Sequence, residues 1–266
     1  MNPFFEIIRP ITSLVAALGA VVGAIISGVS DPILLFYAFL AVFTITGAGM
    51  ILNDYYDLEI DKINAPQRPL PSGQIFPRDA LSYSSWLFIV SIFFAALINS
   101  YCLALALVNA VLEYLYSKHL KRTFLLGNII VSWFTASTFI FGGLITLDFS
   151  IVKIIAPLAF LANMGREIFK TIEDIKGDKK LKLDTLPIAV GIDSAREIAQ
   201  GFIASAILLS PLPYFSGLLN SIYLRVVSIS NALFLYSLSQ TPTQIKRITK
   251  LAMLIVLLAF LLGRSF

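Results

Sequence analysis

Asn53, Asp54, Asp57 and Asp61 fall within nine residues of chain. Asn53, Asp57 and Asp61 recur every four residues, so on a helix they line one face, and Asp54 lies within a turn of Asp57. A stripe of three carboxylates repels itself, and a divalent cation relieves that repulsion better than solvent at a helix end. Hard oxygen donors of this kind suit Mg²⁺, which is typically held by one or two carboxylates together with substrate phosphates. A second acidic group follows at Glu173, Asp174 and Asp178, where Asp174 and Asp178 are again four apart. Asp57 to Asp174 and Asp61 to Asp178 are both offsets of 117 residues. The equal offsets predict an internal repeat that brings two carboxylate sets to face each other across one cavity.

Cations accompany both clusters. Arg68 stands between Pro66 and Pro69, whose fixed backbone sets where the guanidinium points. Lys121 and Arg122 belong to the same side, and Lys170 precedes Asp174 by one helical turn. Fixed cations beside carboxylate-bound Mg²⁺ suit a diphosphate, whose charge needs both kinds of partner. Arg9, just before Pro10, either reaches the same cavity or anchors the first helix. Glu113 is the one carboxylate inside an apolar run. A charge at that depth should face a cavity, as a polar ligand, a proton acceptor or the partner of a lysine. Lys176, Lys179, Lys180 and Lys182 read instead as topology and headgroup charges. A single histidine, His119, cannot build a histidine zinc site, and a single cysteine, Cys102, excludes an internal disulfide. Cys102 lies in an apolar run and reads as a small core residue.

The elements that must position these groups are membrane helices. The chain of 266 residues is 58% hydrophobic and 14% charged, with mean hydropathy +0.85, against roughly 25% charged in soluble domains. Its apolar residues gather in runs long enough to cross a bilayer as helices. Nine spans are expected, near 11–28, 33–52, 82–99, 101–117, 124–144, 151–169, 195–212, 220–239 and 246–263. On that map 17 of the 20 Lys and Arg fall on one side, which makes it cytoplasmic. The expected fold is an all-α membrane protein, a single domain over 1–266. Two four-helix repeats surround a central cavity and one extra helix follows. The cytoplasmic loops are near 53–81, 117–123 and 166–194. The N-terminus and the site face the cytoplasm, and the first span reads as a retained helix and not a signal peptide. The expected partners are membrane lipids and small substrates, with no nucleic acid and no protein partner. A multispan transporter is the rival class, but transporters place charged sites near mid-bilayer on broken helices. Here the acidic residues gather at one surface.

Asn53-Asp54-x-x-Asp57-x-x-x-Asp61, followed by Arg68-Pro69-Leu70-Pro71-Ser72-Gly73, resembles the first motif of the UbiA superfamily of intramembrane prenyltransferases. Tyr116-Ser117-x-x-Leu120-Lys121 resembles that family's segment between its fourth and fifth helices, and Asp174-x-x-x-Asp178 its second aspartate motif. The resemblance spans the whole chain and implies Mg²⁺-dependent transfer of a prenyl group from a prenyl diphosphate. It implies that Asn53, Asp57, Asp61, Asp174 and Asp178 hold two Mg²⁺ ions, with Asp54 supporting. It further implies that Arg68 and Lys121, with Arg9, bind diphosphate oxygens. Lys118 is three residues from the family lysine position. Arg166-Glu167-x-x-Lys170-x-Ile172-Glu173-Asp174-x-x-Gly177-Asp178, with Thr185-Leu186-Pro187 after it, is most similar to the archaeal ether-lipid branch. That branch implies geranylgeranyl transfer from geranylgeranyl diphosphate to the 2-hydroxyl of 3-O-geranylgeranylglyceryl phosphate. Arg122, Arg166 and Lys170 are then candidates for the acceptor phosphate. The alternatives within the family are a chlorophyll-type tetrapyrrole acceptor or an aromatic quinone precursor.

Overall fold

The computed structural model describes residues 2–180 and 183–264, apart from the side chains of Arg122, Lys176, Lys180, Pro242 and Lys246. The first half runs α1 (Pro3–Ile7), α2 (Pro10–Ile26), α3 (Pro32–Tyr56), α4 (Leu58–Asn64), α5 (Pro77–Ile98) and α6 (Ser100–Lys118). A 3₁₀ turn, Leu120–Arg122, leads to α7 (Leu126–Thr146) and α8 (Val152–Lys180). The chain then runs through α9 (Leu186–Val190), α10 (Ile192–Leu209), α11 (Leu212–Phe215), α12 (Ser221–Ser237) and α13 (Pro242–Gly263). Proline at the start of α1, α2, α3 and α5 is pre-set for a first helical turn and lacks an N–H that would go unused there. Asn2, Asp31, Asn99 and Asn220 accept backbone N–H bonds as N-caps of α1, α3, α6 and α12.

Nine helices of at least 17 residues occur among the described residues, each overlapping one expected span. Among the described residues, five stretches are long and apolar enough to cross a membrane: α3, α5, α6, α7 and Ile192–Phe215, which joins α10 to α11. α2 is apolar but has only 17 residues. The expected loops need correction. Much of 53–81 is helix, in the end of α3, in α4 and in the start of α5, and α8 continues through 166–180. Lys, Glu and Arg are good helix formers, so a charged stretch that leaves the apolar layer need not leave the helix.

α2 packs against α3 and α7, α3 against α5 and α6, α7 against α8, and α8 against α10; α13 packs on α12, α8 and α2. The contact of α2 with α7 joins the two halves and rests on small residues. A Cβ at Gly142 would strike the backbone of Ala20, Gly23 and Ala24, and one at Gly23 would lie 3.0 Å from the Phe139 Cα. Backbones this close are typical of membrane helices that associate by packing instead of water exclusion. Cys102 is buried, with Sγ directed at the Phe141 carbonyl 3.8 Å away. Near the acidic end, Ile7, Ile8, Ile51, Leu70 and Ile75 share one buried cluster. It fastens the segment after α4, and with it Arg68, onto α1 and α3.

Candidate active site

The first acidic group sits where α3 gives way to α4. Asp57 caps the end of α3, yet its N–H still donates to the Asn53 carbonyl at 3.0 Å, and the Asp61 N–H donates to the Asp57 carbonyl at 2.8 Å. Helical pairing therefore continues through the junction, which keeps Asn53, Asp57 and Asp61 on one face. Asp54, Asp57 and Asp61 are all buried.

Cations from distant segments reach each of these carboxylates. Arg9 pairs with Asp54. Arg68 donates to Asp61 Oδ2 at 2.6 Å and lies 3.5 Å from Asp54 Oδ1. Lys121 donates to Asn53 Oδ1 at 2.8 Å and pairs with Asp57. Arg9 has φ +48°, a left-handed conformation that costs a non-glycine residue energy and that the surrounding contacts must hold. It also lines the central cavity, so it both opens α2 and enters the site. Arg68 is held by its own N–H bonded to the Ala65 carbonyl and by Ser72 N–H bonded to the Arg68 carbonyl, each at 3.0 Å.

The second acidic group lies on α8. Asn163, Glu167, Lys170, Asp174 and Asp178 are spaced by three or four residues and follow one stripe of the helix. Glu167 is buried and takes Arg166 at 2.6 Å and Lys170 at 3.4 Å. Arg166 also reaches Asn163 Oδ1 at 3.5 Å, while its Nε is buried without a partner. Glu173 accepts the Thr243 hydroxyl of α13 at 2.8 Å. Asp178 accepts the Thr185 hydroxyl at 3.2 Å. Burial raises the Asp178 carboxyl above its ordinary range, against the pull of Thr185, and the charges of Asp174, Lys121 and Lys170 all act on it. Lys121 thus bonds one acidic group and acts electrostatically on the other. The side chain of Arg122 lies outside the described residues.

Behind these groups is a cavity of about 480 Å³. Arg9, Asn53, Glu113, Arg166, Glu167 and Lys170 line its charged part, and Phe134, Phe139, Leu158, Val256, Leu257 and Phe260 are among its apolar walls. It is large enough for an organic substrate and has the apolar lining with few polar groups typical of such sites. Sequence reading passed over Asn163, Glu167 and Lys250 as cavity-lining residues. Glu167 was visible within the second motif, but its burial was not; Lys250 carried no signal beyond its charge.

Among the described residues, no three acidic, histidine or cysteine side chains form a ready-made metal cluster. The donor set nevertheless fits Mg²⁺: carboxylate and amide oxygens are the hard ligands it takes. Asn53 Oδ1 and Asp57 Oδ2 already converge on one positive charge, the Lys121 ammonium.

Residues 13–262 match the UbiA prenyltransferase family. The chain is 39% identical to the digeranylgeranylglyceryl phosphate synthase of Methanopyrus kandleri, over 98% of both chains. It is 40% identical to the synthase of the same name from Methanococcoides burtonii, over 99% of this chain and 100% of that one. A solved structure described as that of digeranylgeranylglyceryl phosphate synthase superposes with TM-score 0.82 at 35% identity, over 98% of this chain and 97% of the other. A UbiA homologue from Archaeoglobus fulgidus bound to GPP and Mg²⁺ superposes with TM-score 0.78 at 21% identity, over 98% of both.

Proposed function

Because the chain belongs to the UbiA prenyltransferase family, we propose that it moves a geranylgeranyl group from geranylgeranyl diphosphate to the 2-hydroxyl of 3-O-geranylgeranylglyceryl phosphate, forming the second ether bond of an archaeal lipid. The observation that carries this reading is one apolar cavity lined by Arg9, from a first cationic group, and by Arg166, Lys170 and Lys250, from a second. Arg9, Arg68 and Lys121 stand at the α3–α4 junction, and Arg166, Lys170 and Lys250 stand on α8 and α13. A donor diphosphate and an acceptor phosphate each need such a group, and two prenyl chains need the apolar walls.

In this mechanism Lys121, Arg68 and Arg9 hold the donor diphosphate. Asn53, Asp57, Asp61, Asp174 and Asp178 would hold Mg²⁺, which when bound neutralises charge growing on the leaving diphosphate. Asp54 faces Arg9 and Arg68 and orients both. As the C1–O bond loosens towards an allylic cation, these fixed charges favour the departing diphosphate more than the bound substrate, and that difference is the catalysis. Arg166, Lys170 and Lys250 hold the acceptor phosphate. The glycerol oxygen then attacks C1, and the apolar walls keep water from the cation. Relatives bearing the synthase name, aligned over nearly the full chain, support this choice of acceptor.

Nine crossings and a twofold repeat are part of the same proposal. α2, α3, α5 and α6 begin 116, 120, 115 and 121 residues before α7, α8, α10 and α12, close to the 117-residue spacing of the aspartates. The charge bias places the N-terminus and both acidic groups on the cytoplasmic side.

Purified protein given labelled geranylgeranyl diphosphate and a panel of acceptors, with products read by mass spectrometry, tests this. The expected product is the diether phosphate, formed only with divalent metal. Preferential alkylation of a tetrapyrrole or an aromatic acid would overturn it.

A further inference from the structure

Among the described residues, Glu113 is the one acidic side chain lining the cavity that has no cationic partner. Its carboxylate lies flat against Gly49 of α3: a Cβ at Gly49 would stand 2.5 Å from Glu113 Cδ and 2.6 and 2.7 Å from its two oxygens. A side chain at position 49 would push the carboxylate aside. Among the described residues Glu113 makes no ion pair and no side-chain hydrogen bond, unlike Asp54, Asp57, Asp61 and Glu167. A lone carboxylate in an apolar wall is costly, and such residues are functional by default in membrane proteins.

Its position relative to the chemistry is specific. Gly49 is one helical turn from Asn53, about 6 Å along α3 on the cavity side. Glu113 therefore sits one turn further into the membrane than the groups that hold the diphosphate. C1 of the donor is bonded to that diphosphate, so the attacking hydroxyl must approach at this depth. The charged and titratable groups that line the same cavity as Glu113 are Arg9 at the start of α2, Tyr116 of its own helix, Arg166, Glu167 and Lys170 of α8, Tyr223 of α12 and Lys250 of α13, with the Asn53 amide of α3 beside them. Glu167 is engaged by two cations and Tyr116 is itself a proton donor, which leaves Glu113 as the free acceptor.

We propose that Glu113 is the catalytic residue that accepts the proton of the acceptor hydroxyl. The glycerol O2 forms its bond to C1, the C1–O bond breaks with its electron pair leaving on the diphosphate, and the hydroxyl proton passes to a Glu113 carboxylate oxygen. The proposal rests on the alcohol acceptor named above.

The test separates bond breaking from bond making. Donor labelled with ¹⁸O at the bridging position scrambles label into non-bridging oxygens whenever the C1–O bond opens and recloses. In E113Q, ether formation is expected to fall by about 10²–10⁴-fold, the usual range for a lost general base. Scrambling and the KM for both substrates stay near the wild-type values. E113D, which keeps the carboxylate, retains more transfer than E113Q and confirms that the altered wall still folds. Wild-type transfer in E113Q, or loss of scrambling in step with transfer, overturns the proposal. If the wild-type enzyme scrambles label but leaves the lipid-phosphate acceptor untouched, the acceptor assignment fails and the proposal with it; if the wild type forms the ether and E113Q forms it equally well, only the role of Glu113 fails.

Discussion

Lys121 Nζ donates to Asn53 Oδ1 at 2.8 Å across 68 residues of sequence, and the same ammonium pairs with Asp57. The 3₁₀ turn after α6 is thereby bound to the end of α3. Replacing Lys121 by Met keeps most of its length and removes the charge. The K121M variant is expected to lower kcat/KM for the prenyl diphosphate by about 10²–10³-fold, as loss of a fixed charge at the leaving group does elsewhere. Steady-state kinetics with the donor varied would show it. A change under threefold would return Lys121 to a purely structural role.

Asp54 should behave differently from Asp57, although only three residues separate them. Asp54 faces Arg9 and Arg68. D54A removes the partner of Arg9 and the more distant of the two partners of Arg68, which keeps Asp61; both guanidinium groups are partly exposed, so the stability cost is about 1 kcal/mol or less, and Arg9 loses its aim. A lower thermal midpoint in detergent and a raised KM for the diphosphate are expected together. D54A with unchanged stability would show that the arginines find other partners.

Asp57→Ala or Asp174→Ala is expected to abolish Mg²⁺-dependent turnover while helix content, read by circular dichroism, is kept. Titrating Mg²⁺ against activity distinguishes a weakened metal site from a lost one. Full activity in either variant would remove that residue from the metal-binding set.

The crossing of α2 and α7 has no space for a side chain at Gly142. G142A is expected to destabilise the protein by about 1–3 kcal/mol through overpacking, seen as a lower unfolding temperature in detergent. A bulkier G142V should prevent recovery of folded protein.

The Tyr223 and Phe260 rings stack with centroids 5.6 Å apart, and Phe139 meets Phe260 edge-on at 5.8 Å, all three lining the cavity. Trimming Phe260 to Leu should favour longer prenyl donors. In a competition of C25 against C20 diphosphate, a shift of about tenfold is expected, since a methylene in an apolar pocket is worth roughly that or more. An unchanged ratio would locate the length limit on another wall.

What the sequence made legible was local. Asn53, Asp57 and Asp61 could be placed on one face because helical spacing needs no tertiary knowledge, and the structure keeps that face across the α3–α4 break. The long apolar runs marked their helices for the same reason. The charged continuation of α8 to Lys180 was hidden, because polarity signals the edge of the membrane layer and not the end of a helix. Partners were hidden too: nothing near Asp54 in sequence indicates Arg9, 45 residues away. The burial of Glu167 and the arrival of Lys250 at the cavity depend on how α8 meets α13, a contact between segments with no local code.

The ion pairs at the α3–α4 junction bear on the order in which ligands arrive. Arg68 and Lys121 each hold a carboxylate. Metal entering alone would have to displace them, and diphosphate entering alone would meet carboxylates of its own sign. Arriving together, the two satisfy every group by a change of partners: arginine and lysine turn to phosphate, and aspartate turns to metal. The site should therefore load cooperatively, with metal and donor each tightening the hold on the other by the same factor.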